Sequence, residues 1–258
     1  ITPLNYKIDH EAARITINKW VEQKTNDKIK ELIKRGILDP LVRLVLTNAI
    51  YFKGNWADRF DKNLTKDAMF HLLPGKSIKV PMMNQKQKFG YAEHENLQIL
   101  ELPYVGEDLS MLVLLPKKVD GLTELENKLT TDNLKKWTRH LGEREVRVFL
   151  PKFEMTSAFR LDKTLALMGM PDAFSMNADF SGMDGTQKLN ISAVIHKAFI
   201  AVDEQGTEAA AATGVVIGVT SLPQPAPVFR ADHPFMFLIR ENLSKSILFF
   251  GRVVDPTM

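Results

Sequence analysis

Residues 203–221 read DEQGTEAAAATGVVIGVTS. In this stretch the secondary structure that the residues themselves favour differs from the one that the flanking residues favour, more sharply than anywhere else in the chain. Taken alone, Thr207 followed by Glu208 and four alanines predicts the start of a helix, with a capping side chain and an acid in the first turn. Residues 189–202 before it are rich in β-branched side chains and predict a strand, and VVIGVTS after it also favours a strand. The stretch can therefore be a loop, a helix or a central strand.

The strand alternative is physically possible because short side chains fit into a crowded sheet. In an extended conformation, alternate residues of the alanine run would face opposite sides of that sheet. The run EQGTEAAAAT resembles the hinge of the reactive loop in serpins, the serine protease inhibitor family. The matching hinge positions are Glu204, Gln205, Gly206, Thr207, Glu208, Ala209, Ala210, Ala211, Ala212 and Thr213.

The resemblance to serpins covers essentially the whole chain, because NAIYFKGNW (48–56), HPFMFLI (233–239) and LFFGRVVDPT (248–257) also match the family. It implies an α+β fold in which a large mixed sheet and two smaller sheets are surrounded by helices, with a mobile reactive loop at about 204–227. We expect residues 1–258 to belong to one such domain. The chain begins where the sixth helix of a serpin would start, so the missing N-terminal segment is expected to be a separate chain or a cleaved or truncated part.

The resemblance also implies a function. Each serpin molecule inhibits one molecule of a serine protease. The protease cleaves one peptide bond in the reactive loop, the bait bond, and is acylated; the loop then enters the main sheet as a new strand. Counting from Glu204 in the family's register places the bait bond at Thr220-Ser221. Threonine at that position predicts a target with a small or medium apolar primary pocket, elastase-like or subtilisin-like. The alternative is a non-inhibitory serpin that acts as a protease substrate, a binding protein or a chaperone.

Four further residues match positions that control sheet opening in the family. Asn48 and His196 match a strand asparagine and a strand histidine that form a polar network in the family. Trp56 and Lys152 match positions near the hinge acid, here Glu204, and the lysine is expected to pair with it. Ordinary packing is the alternative for each of them, since a histidine on an apolar strand is most often a hydrogen-bonded core residue. The resemblance further implies a metastable native form and a risk of loop-sheet polymers.

Composition excludes several classes of function. The chain has 258 residues, 45% hydrophobic and 25% charged, with a net charge of +3 and no cysteine. Thiolate chemistry and disulfides are therefore excluded, and compartment, extracellular or cytoplasmic, is left open. No apolar run is long enough to span a bilayer, and scattered basic residues give little reason to expect nucleic acid as a partner. No hydrolase, nucleotide-binding or metal-ligand motif is present, so we expect neither an enzyme nor a cofactor or metal.

Hydrophobic periodicity predicts a helix over 10–33 with Asp9 as its N-cap, and a long buried strand over 42–56. It predicts a hairpin over 70–85 with its turn at Pro74-Gly75, and separate strands at 88–94, 98–105 and 110–116. Short helices follow at 122–129 and 131–141, the second capped by Thr131, and another at 160–170. One strand is expected over 143–155, and 176–185 is expected to be a loop.

Overall fold

A computed structural model describes residues 2–206 and 225–258 of the chain. These residues form two compact units, each built from two separated segments of sequence. The first unit comprises the residues up to Phe52 together with Met155–Ile200, and the second comprises Lys53–Glu154 together with the residues from Ala201 onward. The α+β class expected from the sequence is confirmed, whereas the expectation of a single domain stays a prediction.

The described helices and strands alternate irregularly along the chain. The helices are α1 (Tyr6–Lys24), α2 (Leu122–Lys128), α3 (Thr131–Thr138), α4 (Asp162–Leu167) and α5 (Ser181–Asp184), with 3-10 turns at Lys62–Leu64 and Asp172–Phe174. The strands are β1 (Leu44–Tyr51), β2 (Lys66–Leu73), β3 (Lys76–Glu93), β4 (Leu97–Pro103), β5 (Leu109–Pro116), β6 (Gly142–Pro151), β7 (Phe153–Arg160), β8 (Ile191–Val202), β9 (Val228–Arg230), β10 (Phe235–Glu241) and β11 (Ile247–Val253).

The first unit contains a three-stranded sheet in the order β1-β8-β7. Strands β1 and β8 pair in parallel, from Leu44 opposite Ile191 to Tyr51 opposite Phe199. The predicted buried strand over 42–56 was too long, because regular pairing stops at Tyr51. Strand β1 is also only half-buried, so its run of β-branched and aromatic residues indicates strand conformation rather than a position deep in a core.

Helix α1 is shorter than its apolar periodicity predicts. Asp9 has non-helical backbone angles and accepts the N–H of Ala12 at 2.7 Å, as expected of a cap, but the helix ends at Lys24 instead of Ile33. The chain then turns back, and the side chain of Asn18 both donates to the carbonyl of Ile33 and accepts its N–H, at 2.9 and 2.8 Å. Ile29 and Ile33 are therefore buried in the returning chain, where Asn18 pairs the backbone of Ile33, and not in a continuation of the helix.

An eight-stranded sheet dominates the second unit. Its main path runs β11-β10-β5-β4-β3-β6-β9, and β2 pairs with β3 beside this path. The strands form sheets of three and eight because β3 is 18 residues long and pairs with β2, β6 and β4. The same length means that the strand expected separately at 88–94 is the end of β3. The hairpin turn at Pro74-Gly75 lies where it was predicted.

The core of the second unit lies between this sheet and the helices α2 and α3. Side chains from β4, β5 and β10 pack with Leu122 and Leu125 of α2, and Leu134 and Trp137 of α3 lie against the same cluster. The N-cap of α3 is Thr130 rather than the predicted Thr131, because its side chain accepts the N–H of Asn133 at 3.1 Å. The strand expected over 143–155 is two strands, β6 and β7, separated at Lys152.

Candidate functional site

A buried carboxylate, Glu204, lies directly after β8 and organises its surroundings. Its side chain is 4% exposed and is held by two donors. The Nζ of Lys152 lies 2.8 Å from Oε2, and the hydroxyl of Thr65 donates to Oε1 at 2.8 Å. A charge removed from water in this way is tolerated only when it is paired and hydrogen-bonded, and both conditions are met here.

Local backbone structure fixes the two donors in place. Lys152 occupies the break between β6 and β7, and its N–H donates to the carbonyl of Pro81 at 3.0 Å. Thr65 ends the 3-10 turn Lys62–Leu64 immediately before β2. The carbonyl of Glu204 itself accepts the N–H of Phe60 at 2.9 Å. Two separated segments of the second unit, one around Lys152 and one from Phe60 to Thr65, are thereby tied to Glu204.

Two opposing effects act on the pKa of the Glu204 carboxyl. Burial alone would raise this pKa, because it penalises the charged form. The bonds from Lys152, from a backbone N–H and from Thr65 together outweigh burial and hold the pKa below its ordinary value. Glu204 is therefore ionised at neutral pH, and the pairing with Lys152 is between two full charges.

Trp56 supports the backbone on either side of Glu204. Its indole Nε1 donates to the carbonyl of Asp203 at 3.0 Å, and its backbone N–H donates to the carbonyl of Gln205 at 3.0 Å. The indole is fully buried and stacks on the ring of Tyr104, with 4.6 Å between centroids and 14° between planes. Burial raises the pKa of Tyr104, which keeps its phenol neutral.

Gly206 is required by the close approach of two backbones. Its φ of +103° is one that other residues rarely adopt, and it forms an isolated antiparallel bridge with Asn55. A Cβ at this position would lie 2.5 Å from the nitrogen of Trp56 and 2.8 Å from the carbonyl carbon of Asn55. Only glycine fits without moving one of the two chains. We call the set Glu204, Lys152, Thr65, Trp56 and Gly206 the hinge clasp.

Asn48 and His196 are brought together only as partners in a strand pair. They lie opposite each other in the parallel register of β1 and β8. Neither side chain forms a hydrogen bond within the described ranges 2–206 and 225–258, and the ring of His196 lies at a 20° angle to that of Phe159, 6.2 Å away. The polar network expected from these two residues stays a prediction.

The structure thus brings Trp56, Lys152, Glu204, Gln205 and Gly206 together, and their roles in the hinge and in sheet opening stay a prediction. Thr65 and Tyr104 were missed, because a threonine after a short turn and a tyrosine at a strand end carry no signal of a distant carboxylate or indole. The remaining predicted residues lie outside the described residues: Thr207, Glu208, Ala209, Ala210, Ala211, Ala212, Thr213, Thr220 and Ser221.

Two further observations concern metal ligands and membrane-spanning helices. Within residues 2–206 and 225–258, no group of histidines and carboxylates is arranged to hold a metal ion. The helices in that part of the chain are also too short or too polar to cross a membrane.

A glutamate paired with a lysine near a tryptophan is the arrangement that the resemblance noted above implies for Glu204, Lys152 and Trp56. The model of the Serpin family, described as serine protease inhibitors, matches residues 1–256. The chain therefore belongs to the serpin family.

Relatives with known names support this assignment. The leukocyte elastase inhibitor of Bos taurus is 48% identical over 254 residues, which are 95% of this chain and 67% of that protein. Serpin B3 of Homo sapiens is 47% identical over 250 residues, 95% of this chain and 64% of that protein. Uncleaved ovalbumin superposes with a TM-score of 0.88 and 36% identity, covering 98% of this chain and 65% of ovalbumin. The chain thus spans about two thirds of these relatives.

Proposed function

We propose that this chain is part of a single-use covalent inhibitor of elastase-like or subtilisin-like serine proteases. The protease cleaves the bond Thr220-Ser221 and is held as an acyl ester on the carbonyl of Thr220. The segment from Thr207 onward then enters the sheet between β1 and β8. The similarity to proteins named leukocyte elastase inhibitor supports the target class.

The parallel pairing of β1 with β8 carries this proposal. A segment that leaves the end of β8 and reverses direction runs antiparallel to β8, and therefore antiparallel to β1 as well. Inserted between them, it can form antiparallel ladders on both sides, in exchange for the one parallel ladder that joins β1 and β8. Antiparallel pairing is slightly more stable per residue, and a ladder is gained, so insertion is downhill once the strands separate.

The composition of the inserting segment also supports the proposal. From Thr207 to Thr213 it contains no proline and one charge, Glu208, so nearly every residue can be buried in a central strand at low cost. The hinge clasp lies where this segment begins, because Glu204 is bonded to Lys152 and Gly206 lies next to Trp56.

The decisive experiment incubates the full-length protein with an elastase-like protease and examines the products on a denaturing gel and by intact mass. We expect a complex that survives denaturation and a released C-terminal peptide that begins at Ser221. Clean cleavage without a complex would reject inhibition and support the substrate, binding or chaperone alternative. A peptide that begins elsewhere would reject the assignment of the bait bond alone.

A pair of variants isolates the insertion step. Thr207→Arg places a long charged side chain at the first position to be buried, so we expect the protease to cleave the loop without being trapped. Thr207→Ser keeps a small hydroxyl and should still form the complex. If Thr207→Arg traps the protease as efficiently as wild type, insertion of this segment is not the mechanism.

A further inference from the structure

Two arginines and a phenylalanine form a cationic surface on β6 and β9, which we call the Arg-Phe-Arg surface: Arg147, Phe149 and Arg230. The guanidinium carbon of Arg230 lies 3.7 Å from the centroid of the Phe149 ring, and that of Arg147 lies 5.4 Å from the same centroid. Arg147 and Phe149 are two residues apart on β6, and Arg230 is the register partner of Phe149 on β9. All three side chains therefore project from one face of the sheet.

Both guanidinium groups are available to a partner. Neither forms an ion pair with a carboxylate in the part of the chain that the structure describes. Glu145, the carboxylate that precedes Arg147 on the same face, is instead bound by Lys86 at 2.7 Å. Stacking on Phe149 also limits the rotamers of the two arginines, so less conformational entropy is lost when they bind an anion.

The position of this surface along the chain identifies the occupant. Strand β9 is anchored to β6 through the N–H of Arg147, which donates to Pro227, and through the N–H of Ala231, which donates to Phe149, both at 2.9 Å. Ser221 is seven residues before Val228, so even a fully extended chain places it within about 25 Å of the start of β9. A protease that holds the bait bond in its cleft covers an area of about 800 Å². The tether from Ser221 to β9 therefore keeps the enzyme within reach of Arg147 and Arg230.

We propose that the Arg-Phe-Arg surface is a second docking site for the target protease and binds an acidic patch beside that enzyme's substrate cleft. The proposal rests on the protease-directed function proposed above and adds a reason for choosing among proteases with similar primary pockets. A long polyanion fits this surface less well, because Glu143 and Glu145 interrupt the positive charge along β6. Charge complementarity at such a rim acts mainly on the rate of association.

The test compares wild type with Arg147→Gln/Arg230→Gln. The matched control is Lys135→Gln/Lys136→Gln, which removes the same charge from exposed positions of α3. Arg147→Lys/Arg230→Lys keeps the charge and reports on folding, as does the thermal midpoint of each variant. The probe is an elastase-like protease in two forms, with the carboxylates at the rim of its cleft intact or changed to amides. The rate constant of complex formation is measured at about 0.1 M and about 1 M NaCl, where the Debye length falls from about 10 to about 3 Å.

We expect the glutamine pair to associate roughly three- to tenfold more slowly than wild type at the lower salt concentration, and equally fast at the higher one. The α3 control and the lysine pair should stay near wild type, and the amide form of the protease should not distinguish the variants. Equal rates for wild type and the glutamine pair at low salt would overturn the proposal. So would weaker retention of the glutamine pair on heparin with unchanged protease rates, because the surface would then serve a polyanion.

If the proposed inhibition is wrong, the same experiment gives a result that differs from failure of the docking surface. If the protein is cleaved without forming a complex, kcat/KM for cleavage of the loop replaces the association rate constant and the same comparison of variants holds. Inhibition would then be rejected while a slower reaction of the glutamine pair would still support the docking surface. If the protease neither cleaves nor binds the protein, both proposals are overturned.

Discussion

The hinge clasp and a second polar cluster in the same unit use similar chemistry in different backbone settings. The second cluster, which we call the Glu101 cluster, comprises Glu101, Ser110, Arg240 and Asn242. Arg240 binds Glu101 at 2.7 Å, and the Ser110 hydroxyl lies 2.8 Å from Glu101 and 2.7 Å from Asn242, so its single proton serves one of them at a time. In the clasp both oxygens of Glu204 have a donor, whereas in the cluster the Nε of Arg240 is buried without a hydrogen-bond partner among the described residues.

The backbone explains what each arrangement can do. The side chains of the Glu101 cluster come from the paired strands β4, β5 and β10 or, for Asn242, from the residue after β10, and continuous antiparallel ladders hold these strands together. The hinge clasp is joined by isolated bridges, single backbone hydrogen bonds and side-chain bonds rather than by a continuous ladder. Its bonds can therefore break without opening a ladder. We infer that substitutions in the cluster act on global stability alone, while substitutions in the clasp also act on how readily the loop is released.

The largest expected effect is that of Gly206→Ala. A methyl group would overlap the backbone at Trp56, and the positive φ would be strained, so we expect the free energy of unfolding to fall by about 3 kcal/mol. Gly142→Ala is the matched control, because a Cβ there meets nothing within 4 Å. Urea unfolding measures the free energy of unfolding of both variants. A Gly206→Ala protein as stable as the Gly142→Ala protein would show that the two backbones separate easily, and the clasp would not be rigid.

The next effect separates buried from exposed ion pairs. Arg240→Leu leaves the carboxylate of Glu101 partly buried, with one hydroxyl as its donor, and we expect a loss of about 2–3 kcal/mol in the free energy of unfolding. Arg252→Leu breaks a pair of nearly the same length, 2.8 Å to Glu126, but Arg252 is 59% exposed where Arg240 is 12% exposed. We expect less than about 1 kcal/mol from it.

Neither arginine variant should change the number of protein molecules consumed per protease inhibited, because the Glu101 cluster does not hold the loop. That number is measured by titrating the protease with each variant. If the number of protein molecules consumed per protease rose for Arg240→Leu alone, the division of roles between the cluster and the clasp would be contradicted.

Lys152→Met tests the clasp itself. Among the described residues it leaves Glu204 with Thr65 as its one side-chain donor, and because Lys152 is itself partly exposed we expect the free energy of unfolding to fall by about 1–2 kcal/mol. Lys86→Met is the control, since its pair with Glu145 is exposed on both sides. Warming below the melting temperature should produce polymers faster from Lys152→Met than from Lys86→Met, as native gels would show. Equal rates would mean that the clasp does not restrain the loop.

The sequence predicted much of the fold because several signals are local. The hairpin at Pro74-Gly75, the cap at Asp9 and the apolar strand β5 each depend on residues close in sequence. The end of α1 was missed because Asn18 supplies the hydrogen bonds of Ile33 from a distance of 15 residues. Periodicity cannot distinguish a continued helix from a turn that packs against it.

The site could be predicted only where the family resemblance gave it. Lys152 and Glu204 are 52 residues apart, and nothing in composition or spacing pairs them. Thr65 is 139 residues from Glu204 and was not predicted at all. Side-chain bonds between segments that meet only in the folded chain leave no periodic signal, whereas the strands that carry them do.

The smallest expected effect is the pH dependence of the stability that Glu204 contributes. The pKa of Glu204 is lowered in the folded protein, so its contribution to stability is present above the pKa of the unfolded chain, about 4.3, and is lost as the pH falls through the lower folded value. The stability difference between wild type and Glu204→Gln should therefore shrink below about pH 4. In Lys152→Met the ammonium that lowers the folded pKa of Glu204 is gone, so that pKa lies closer to the value in the unfolded chain and less stability should be lost on acidification. Urea unfolding of the three proteins between neutral and acidic pH measures this difference. If Lys152→Met and wild type lose the same stability over that pH range, the lysine does not set the charge of Glu204, and the clasp is held by Thr65 and the backbone instead.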